Sequence, residues 1–147
     1  NLEGFMPASR STDGGRSWRV ERTAFPFVHM GQRPVLKRLP SGALFLASFS
    51  REGFAVDGRR LDAVGLFGAL SYDEGRTWPV LRPIVPDRAE GTFEGGAWTG
   101  TFRMDALHAE PRGYLTADVA AGGTIHLLSS GLHYAFNEAW LTHFGKD

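Results

Sequence analysis

Apolar residues come along this chain in short runs, broken by glycine, proline and small polar residues. That pattern predicts strands joined by turns rather than long helices. Phe5-Met6 ends a first strand, and residues 19–28 alternate loosely through Val20, Phe25 and Phe27 as a second. Residues 33–39 read as a strand, Pro40-Ser41-Gly42 as a hairpin turn, and 43–50 as its partner. Val35, Leu36 and Leu39 then face Leu44, Phe45, Leu46 and Phe49 as a buried pair. Residues 51–63 are polar and glycine-containing, a connection to a third strand at 64–70, with a fourth at 80–85. Together these strands predict one complete four-stranded unit over 33–86. Residues 87–112 read as a long connection rich in glycine and threonine, with Trp98 near its centre; such loops are often functional. Residues 114–119, a turn at Ala121-Gly122-Gly123 and residues 124–129 repeat the earlier hairpin. Placing Gly123 on Gly42 sets Tyr114 against Arg33. Residues 136–144 are expected to form the third strand of this last unit, in preference to a decayed turn motif laid over 132–140.

One stretch occurs twice. Ser11-Thr12-Asp13-Gly14-Gly15-Arg16-Ser17-Trp18 returns as Ser71-Tyr72-Asp73-Glu74-Gly75-Arg76-Thr77-Trp78, starting 60 residues later. A fixed period of this kind is the mark of a repeat architecture. Ser and Asp side chains accept hydrogen bonds from nearby backbone N–H groups and close a tight turn. Gly15 and Gly75 suit positive φ, and Trp18 and Trp78 are large plugs expected to sit under each turn. Asp13 and Asp73 read as turn builders rather than catalytic carboxylates or metal ligands.

Composition narrows the class. The chain has 147 residues, with 19 glycines and eight prolines, a balance typical of turn-rich all-β proteins. Basic and acidic residues cancel at 16 each, which leaves no electrostatic footprint for nucleic acid or an anionic membrane. No apolar run is long enough to span a bilayer, and no signal peptide is visible. The chain has no cysteine, so disulfides and thiolate zinc sites are excluded and the redox compartment is left open. No metal or other cofactor is expected, and no compartment is assigned.

The two repeated stretches resemble the Asp-box, or BNR repeat, of sialidase-like proteins. The resemblance implies an all-β fold: part of a β-propeller of four-stranded antiparallel blades, the last two to three of six. Residues 1–147 would belong to one such domain, with 1–32 ending a blade, 33–86 a whole blade, 87–112 a connecting loop and 113–147 an incomplete last blade. The N-terminal blades would then lie outside this chain, and the fragment alone is expected to be inactive. In that family the box joins the third and fourth strands of a blade on the face away from the active site. The opposite mouth would collect residues 29–33, 50–63, 87–114 and 129–135.

The resemblance extends to Glu110-Pro111-Arg112-Gly113-Tyr114 and to residues 123–130 and 133–141, which look like terminal blades of bacterial-type sialidase-like proteins. In true sialidases arginines hold the substrate carboxylate, a tyrosine assisted by a glutamate attacks the anomeric carbon, and an aspartate is the acid/base. The resemblance casts Arg33 as a clamp arginine and Tyr114 with Glu110 as the nucleophile pair. Arg51, Glu52, Trp98, His133 and Tyr134 are the further substrate-binding candidates. The family's first arginine motif is absent and no aspartate is assigned as acid/base. The expected function is an exo-glycosidase removing terminal sialic acid or a related sugar from glycans. The alternative is a non-catalytic carbohydrate- or protein-binding propeller, with Trp98 and Tyr134 as stacking platforms.

Overall fold

The computed structural model describes residues 1–96 and 98–143. Strands β1 (Phe5–Arg10) and β2 (Arg19–Pro26) form an antiparallel hairpin. After the two-residue β3 (Gln32–Arg33) come β4 (Val35–Arg38) and β5 (Leu44–Ser50). A small hairpin of β6 (Phe54–Val56) and β7 (Arg59–Leu61) precedes β8 (Gly65–Ser71) and β9 (Val80–Pro83). Then follow β10 (Gly91–Glu94), β11 (Thr101–Met104), β12 (Gly113–Tyr114) and β13 (Thr116–Val119). The last elements are β14 (Ile125–Leu128), β15 (His133–Phe136) and the short helix α1 (Glu138–Thr142). The protein is all-β, built from several small sheets that do not close into a ring among the described residues.

Three of these sheets stack face to face. The middle one is four-stranded in the order β4-β5-β8-β9. One of its faces presents Leu46, Phe67, Ala69 and Leu81 to Phe25 of β2. The Phe25 ring lies 5.8 Å from that of Phe67 at an interplanar angle of 13°. The other face presents Phe45, Ala47, Phe49, Leu66 and Leu70 to Ala117, Ile125, Leu127 and Tyr134 of the three-stranded sheet β13-β14-β15. Side chains alternate between the faces of a strand, so β5 and β8 need apolar residues at both parities. Nearly every residue of both strands is buried.

The two repeated turns share the same serine and aspartate hydrogen bonds. In the first, Ser11 Oγ accepts from Gly15 N at 2.8 Å and donates to Asp13 Oδ1 at 2.8 Å. Asp13 also accepts from Ser17 N and Ser17 Oγ at 2.9 and 2.6 Å. In the second, Ser71 Oγ accepts from Gly75 N at 2.8 Å and donates to Asp73 Oδ1 at 2.9 Å. Asp73 accepts from Thr77 N and Oγ1 at 2.8 and 2.6 Å. Gly15 and Gly75 take φ of 87° and 76°, where a β-carbon would be strained. These bonds hold both carboxyl groups down, from the ordinary 3.8 to about 2, with the Ser17 and Thr77 hydroxyls the largest causes.

The tryptophans differ. The Trp78 ring stands edge-on to Phe25 at 5.2 Å, and the Trp78 main-chain N–H donates to Asp57 Oδ2 at 2.7 Å. Trp18 also sits against its own turn, its Nε1 donating to the Gly15 carbonyl at 3.0 Å, but it is 62% exposed, so only Trp78, partly buried, is a plug packed on the core. The second turn has the β1–β2 hairpin beside it, whereas no sheet among the described residues covers the first.

Three further expectations are corrected. Residues 51–63 are a β-hairpin rather than an open connection. Asp57 and Gly58 have φ of 51° and 77°, as the tightest hairpin turn requires. Residues 87–112 contain the β10–β11 hairpin. The third strand of the last sheet is β15, four residues at His133–Phe136, in place of 136–144; Phe144 lies outside the described residues. Asn137 ends the strand because its side chain accepts from Trp140 N at 2.8 Å and caps α1. The helix drives Leu141 into the core, where Gly68 leaves room: a β-carbon there would lie 3.1 Å from both Leu141 and Phe45.

The asymmetry between the turns is testable by chemical denaturation. Trp78→Ala is expected to cost about 2–4 kcal/mol, and Trp18→Ala less than about 1 kcal/mol. Equal losses would mean that the first turn is covered in solution. Because both carboxyl groups are depressed, their stabilisation is complete above pH 3.8 and lost as pH falls towards about 2. Asp13→Asn and Asp73→Asn should each flatten that acid limb.

Candidate functional site

The hairpin turn before β5 and the second repeated turn lie at one end of the middle sheet. Arg38 grips Glu74 with two bonds of 2.9 and 2.7 Å and donates to the Gly42 carbonyl at 2.9 Å. Arg10 reaches the Glu74 carbonyl from the first hairpin at 2.7 Å. Ser41 Oγ donates to Glu138 Oε2 of α1 at 2.6 Å. Three sheets are thus tied together at this end, and its polar groups are engaged with one another.

At the other end, β3 and β12 pair in parallel, with Gln32 opposite Gly113 and Arg33 opposite Tyr114. Each is the lead-in to the first strand of its sheet. The hairpins that follow match in detail. Leu39 N bonds the Ala43 carbonyl at 2.8 Å, and Ala120 N bonds the Thr124 carbonyl at 2.9 Å, while Gly42 and Gly123 take φ of 91° and 85°. Arg33 and Tyr114 therefore occupy equivalent positions, and the parallel rung brings them side by side. The Arg33 guanidinium carbon lies 4.8 Å from the Tyr114 ring centroid, within cation–π reach. Both side chains are open to solvent, Tyr114 at 54%.

The rung is braced from behind. Residues 107–110 run beside the start of β8: Val64 N bonds the Leu107 carbonyl, Ala109 N the Val64 carbonyl and Leu66 N the Glu110 carbonyl, at 2.8–2.9 Å. Gly65 makes this approach possible at φ 96°, since a β-carbon there would lie 2.5 Å from the Ala109 carbonyl oxygen. Gln32 Nε2 donates to the Pro111 carbonyl at 3.0 Å, and Tyr114 N donates to Ser130 Oγ at 3.1 Å.

Glu110 is 0% exposed. Its Oε1 accepts from Ser129 Oγ and its Oε2 from Tyr134 OH, both at 2.8 Å. Burial raises its carboxyl above the ordinary 4.5, partly offset by those two bonds. Burial first, then the glutamate's charge, raises the Tyr134 phenol. Neither Arg112 nor Tyr114 is hydrogen-bonded to Glu110; its partners are Ser129 and Tyr134. This corrects two expectations. Glu110 is committed to a buried network and does not assist Tyr114 directly. Tyr134, 5% exposed, cannot serve as a stacking platform.

The remaining candidates are scattered. Arg51 lines a cleft of about 400 Å³ beside the rung, together with Gln32, Ser50, Arg103, His108 and Arg112. Arg51 helps to hold His29 below its ordinary 6.5, after the larger effect of burial. Glu52 is exposed next to Arg51 and does not line the cleft. Trp98 is 78% exposed. His133 lies on the outer face of β15, its Nε2 3.0 Å from His126 Nδ1. The structure thus unites Arg33 and Tyr114, places Arg51 beside them, and leaves Glu52, Trp98 and His133 outside this group. Arg103 and Arg112, which the sequence gathered at this mouth without giving them a role, complete the arrangement with Ser129 and Ser130, which it did not single out. Ser129-Ser130 at the end of a hairpin strand was the available signal for two of them.

Among the described residues, no group of three or more His, Asp or Glu is placed to hold a metal, and no helix is long and apolar enough to cross a membrane. No protein-family model, curated protein or solved structure matches the chain.

Removing the buried acceptor would leave two hydroxyl donors unsatisfied, so Glu110→Ala is expected to destabilise the fold by about 2–4 kcal/mol in urea titration. The raised carboxyl stabilises fully at acid pH and loses that contribution as pH rises through its folded value. Glu110→Gln should abolish this slope. An unchanged pH profile would contradict the buried, titrating carboxyl.

Proposed function

We propose that this chain is part of a sialidase-like, Asp-box β-propeller acting on glycans, with Arg33 and Tyr114 at its mouth. The observation that carries the reading is the parallel rung: an arginine and a tyrosine from two successive sheets, stacked at 4.8 Å and open to solvent, at the end opposite the repeated turns. The stacked sheets, the twice-built turn and the matching hairpins support the blade architecture. The exposed Trp18 and the open outer face of β13–β15 fit a ring continued by further blades.

In this reading Arg33 offers a planar fork to a substrate carboxylate. The Tyr114 oxygen attacks the anomeric carbon as the bond to the leaving glycan oxygen breaks and that oxygen takes a proton from the acid/base. Water then hydrolyses the tyrosyl–sugar bond. A neutral phenol avoids the repulsion that a carboxylate nucleophile would meet from an acidic sugar. Its proton needs an acceptor. Glu110 is saturated by Ser129 and Tyr134, so the acceptor, a second clamp arginine and the acid/base come from the rest of the propeller. The engagement of Glu110 also favours a second reading, a binding propeller that uses the same mouth without catalysis.

The two separate on hydrolysis of a fluorogenic sialoside by the complete protein. Tyr114→Phe should lower kcat by at least about 100-fold. Unchanged turnover removes Tyr114 from the mechanism. Glycan binding with no turnover by the wild type selects the binding propeller.

A further inference from the structure

The cleft beside the rung has a charge unlike that of the chain. Basic and acidic residues balance at 16 each overall, yet the lining holds three arginines and a histidine and no carboxylate. Two of these are engaged: Arg103 with Glu90 and Asp105, each at 3.5 Å, and His108 Nδ1 with Asp105 Oδ1 at 2.8 Å. Arg51 and Arg112 have no ion-pair partner among the described residues. They come from different segments, Arg51 from just after β5 and Arg112 from just before β12. Arg112 is anchored through its main chain, and its side chain is exposed. Its carbonyl accepts from Thr99 Oγ1 at 2.9 Å, and its Cδ lies 3.4 Å from where a Gly31 β-carbon would stand.

A buried hydroxyl also lines the cleft. Ser50 is 4% exposed, and its Oγ has one long contact, 3.5 Å to the Gly65 carbonyl. Phe102 and Pro111 add apolar wall. The volume of about 400 Å³ falls within the range of small-molecule sites, roughly 300–1,000 Å³. Two arginines without an ion-pair partner among the described residues line a cavity whose wall holds no carboxylate, and an oxyanion there would take their planar donors. Gln32 precedes Arg33, and Arg112 lies two residues before Tyr114, so the cleft adjoins the rung.

We propose that the cleft framed by Arg51, Arg103 and Arg112 is a subsite for an oxyanion-bearing sugar unit, carboxylated or sulfated, next to the sugar held at Arg33 and Tyr114. The sugar ring rests on the glycan-acting reading; the negative charge rests on the cleft alone. The substrate is then an acidic glycan with charge beyond its terminal residue.

The test titrates the complete protein calorimetrically with a uronic-acid disaccharide, a sulfated disaccharide and the uncharged parent. At least one charged probe should bind about tenfold tighter than the parent, and Arg51→Ala and Arg112→Ala should each weaken it about tenfold. The two probes separate a carboxylate from a sulfate ester. Arg112→Lys should retain part of the preference, and Arg59→Ala, on the hairpin away from the cleft, should retain it all. Equal binding of charged and neutral probes, no binding of either charged probe, or a preference that survives the double substitution would overturn the subsite. A charge preference dependent on Arg51 and Arg112 in a protein that cleaves no glycoside keeps the subsite and removes the hydrolase. Sialoside hydrolysis lost in Tyr114→Phe with no charge preference does the reverse.

Discussion

The middle sheet has no solvent face across its two central strands, and the rest of the structure follows from that. β5 and β8 are covered on one side by the β1–β2 hairpin with Phe25, and on the other by β13–β15. An antiparallel sheet usually keeps one side wet and alternates apolar with polar residues. Here both parities must be apolar or small, which is why β5 reads Leu-Phe-Leu-Ala-Ser-Phe-Ser and β8 reads Gly-Leu-Phe-Gly-Ala-Leu-Ser. The glycines are part of the fit: Gly68 makes room for Leu141 and Phe45, and Gly65 lets the 107–110 strap approach. Loops can leave such a sheet only at its two ends, so polar chemistry is sorted to those ends.

The two ends are used differently. At the end with the repeated turns, Arg38, Glu74, Arg10, Ser41 and Glu138 bond one another across sheets. Their groups are spent on holding layers together. At the other end, the strap from 107 to 114 is held by backbone bonds and by the buried Glu110. That support leaves the side chains of Arg33, Tyr114, Arg51 and Arg112 uncommitted to other charges. A site needs groups that are placed by the fold and still unpaired, and this second end supplies them.

Much of this organisation was legible in the residues. The repeated turn was legible because its serine and aspartate hydrogen bonds are local and recur with the motif. The match of Arg33 with Tyr114 followed from aligning Gly42 with Gly123, both forced into positive φ by the same hairpin. The errors fall where local and tertiary signals compete. Asp57-Gly58 is a hairpin signal in plain view, masked by the arginines and acids around it. Asn137 with Glu138 is a helix start that lost to the apolar residues after it, because Leu141 and Trp140 read equally well as strand. The long connection hid its β10–β11 pairing because Gly-Thr-Phe-Glu and Thr-Phe-Arg-Met are short and half polar. The exposure of Trp18 is beyond any local reading, since it depends on what stands beside the turn.

Glu110 shows how far spacing along the chain can mislead about chemistry. Two tyrosines compete for this carboxylate. Tyr114 is four residues away in sequence, and Tyr134 is 24. The near tyrosine cannot claim it: its main chain is drawn into the parallel rung and bonded to Ser130. The far one is brought over it by β15, and Ser129 fills the other oxygen. A buried carboxyl with two neutral donors and no cation is best placed where its charge does least, which is why burial raises it. Glu110 is therefore a positioning group that joins the strap to the last sheet. In the proposed glycan-acting reading, a base for Tyr114 would have to come from a group other than Glu110.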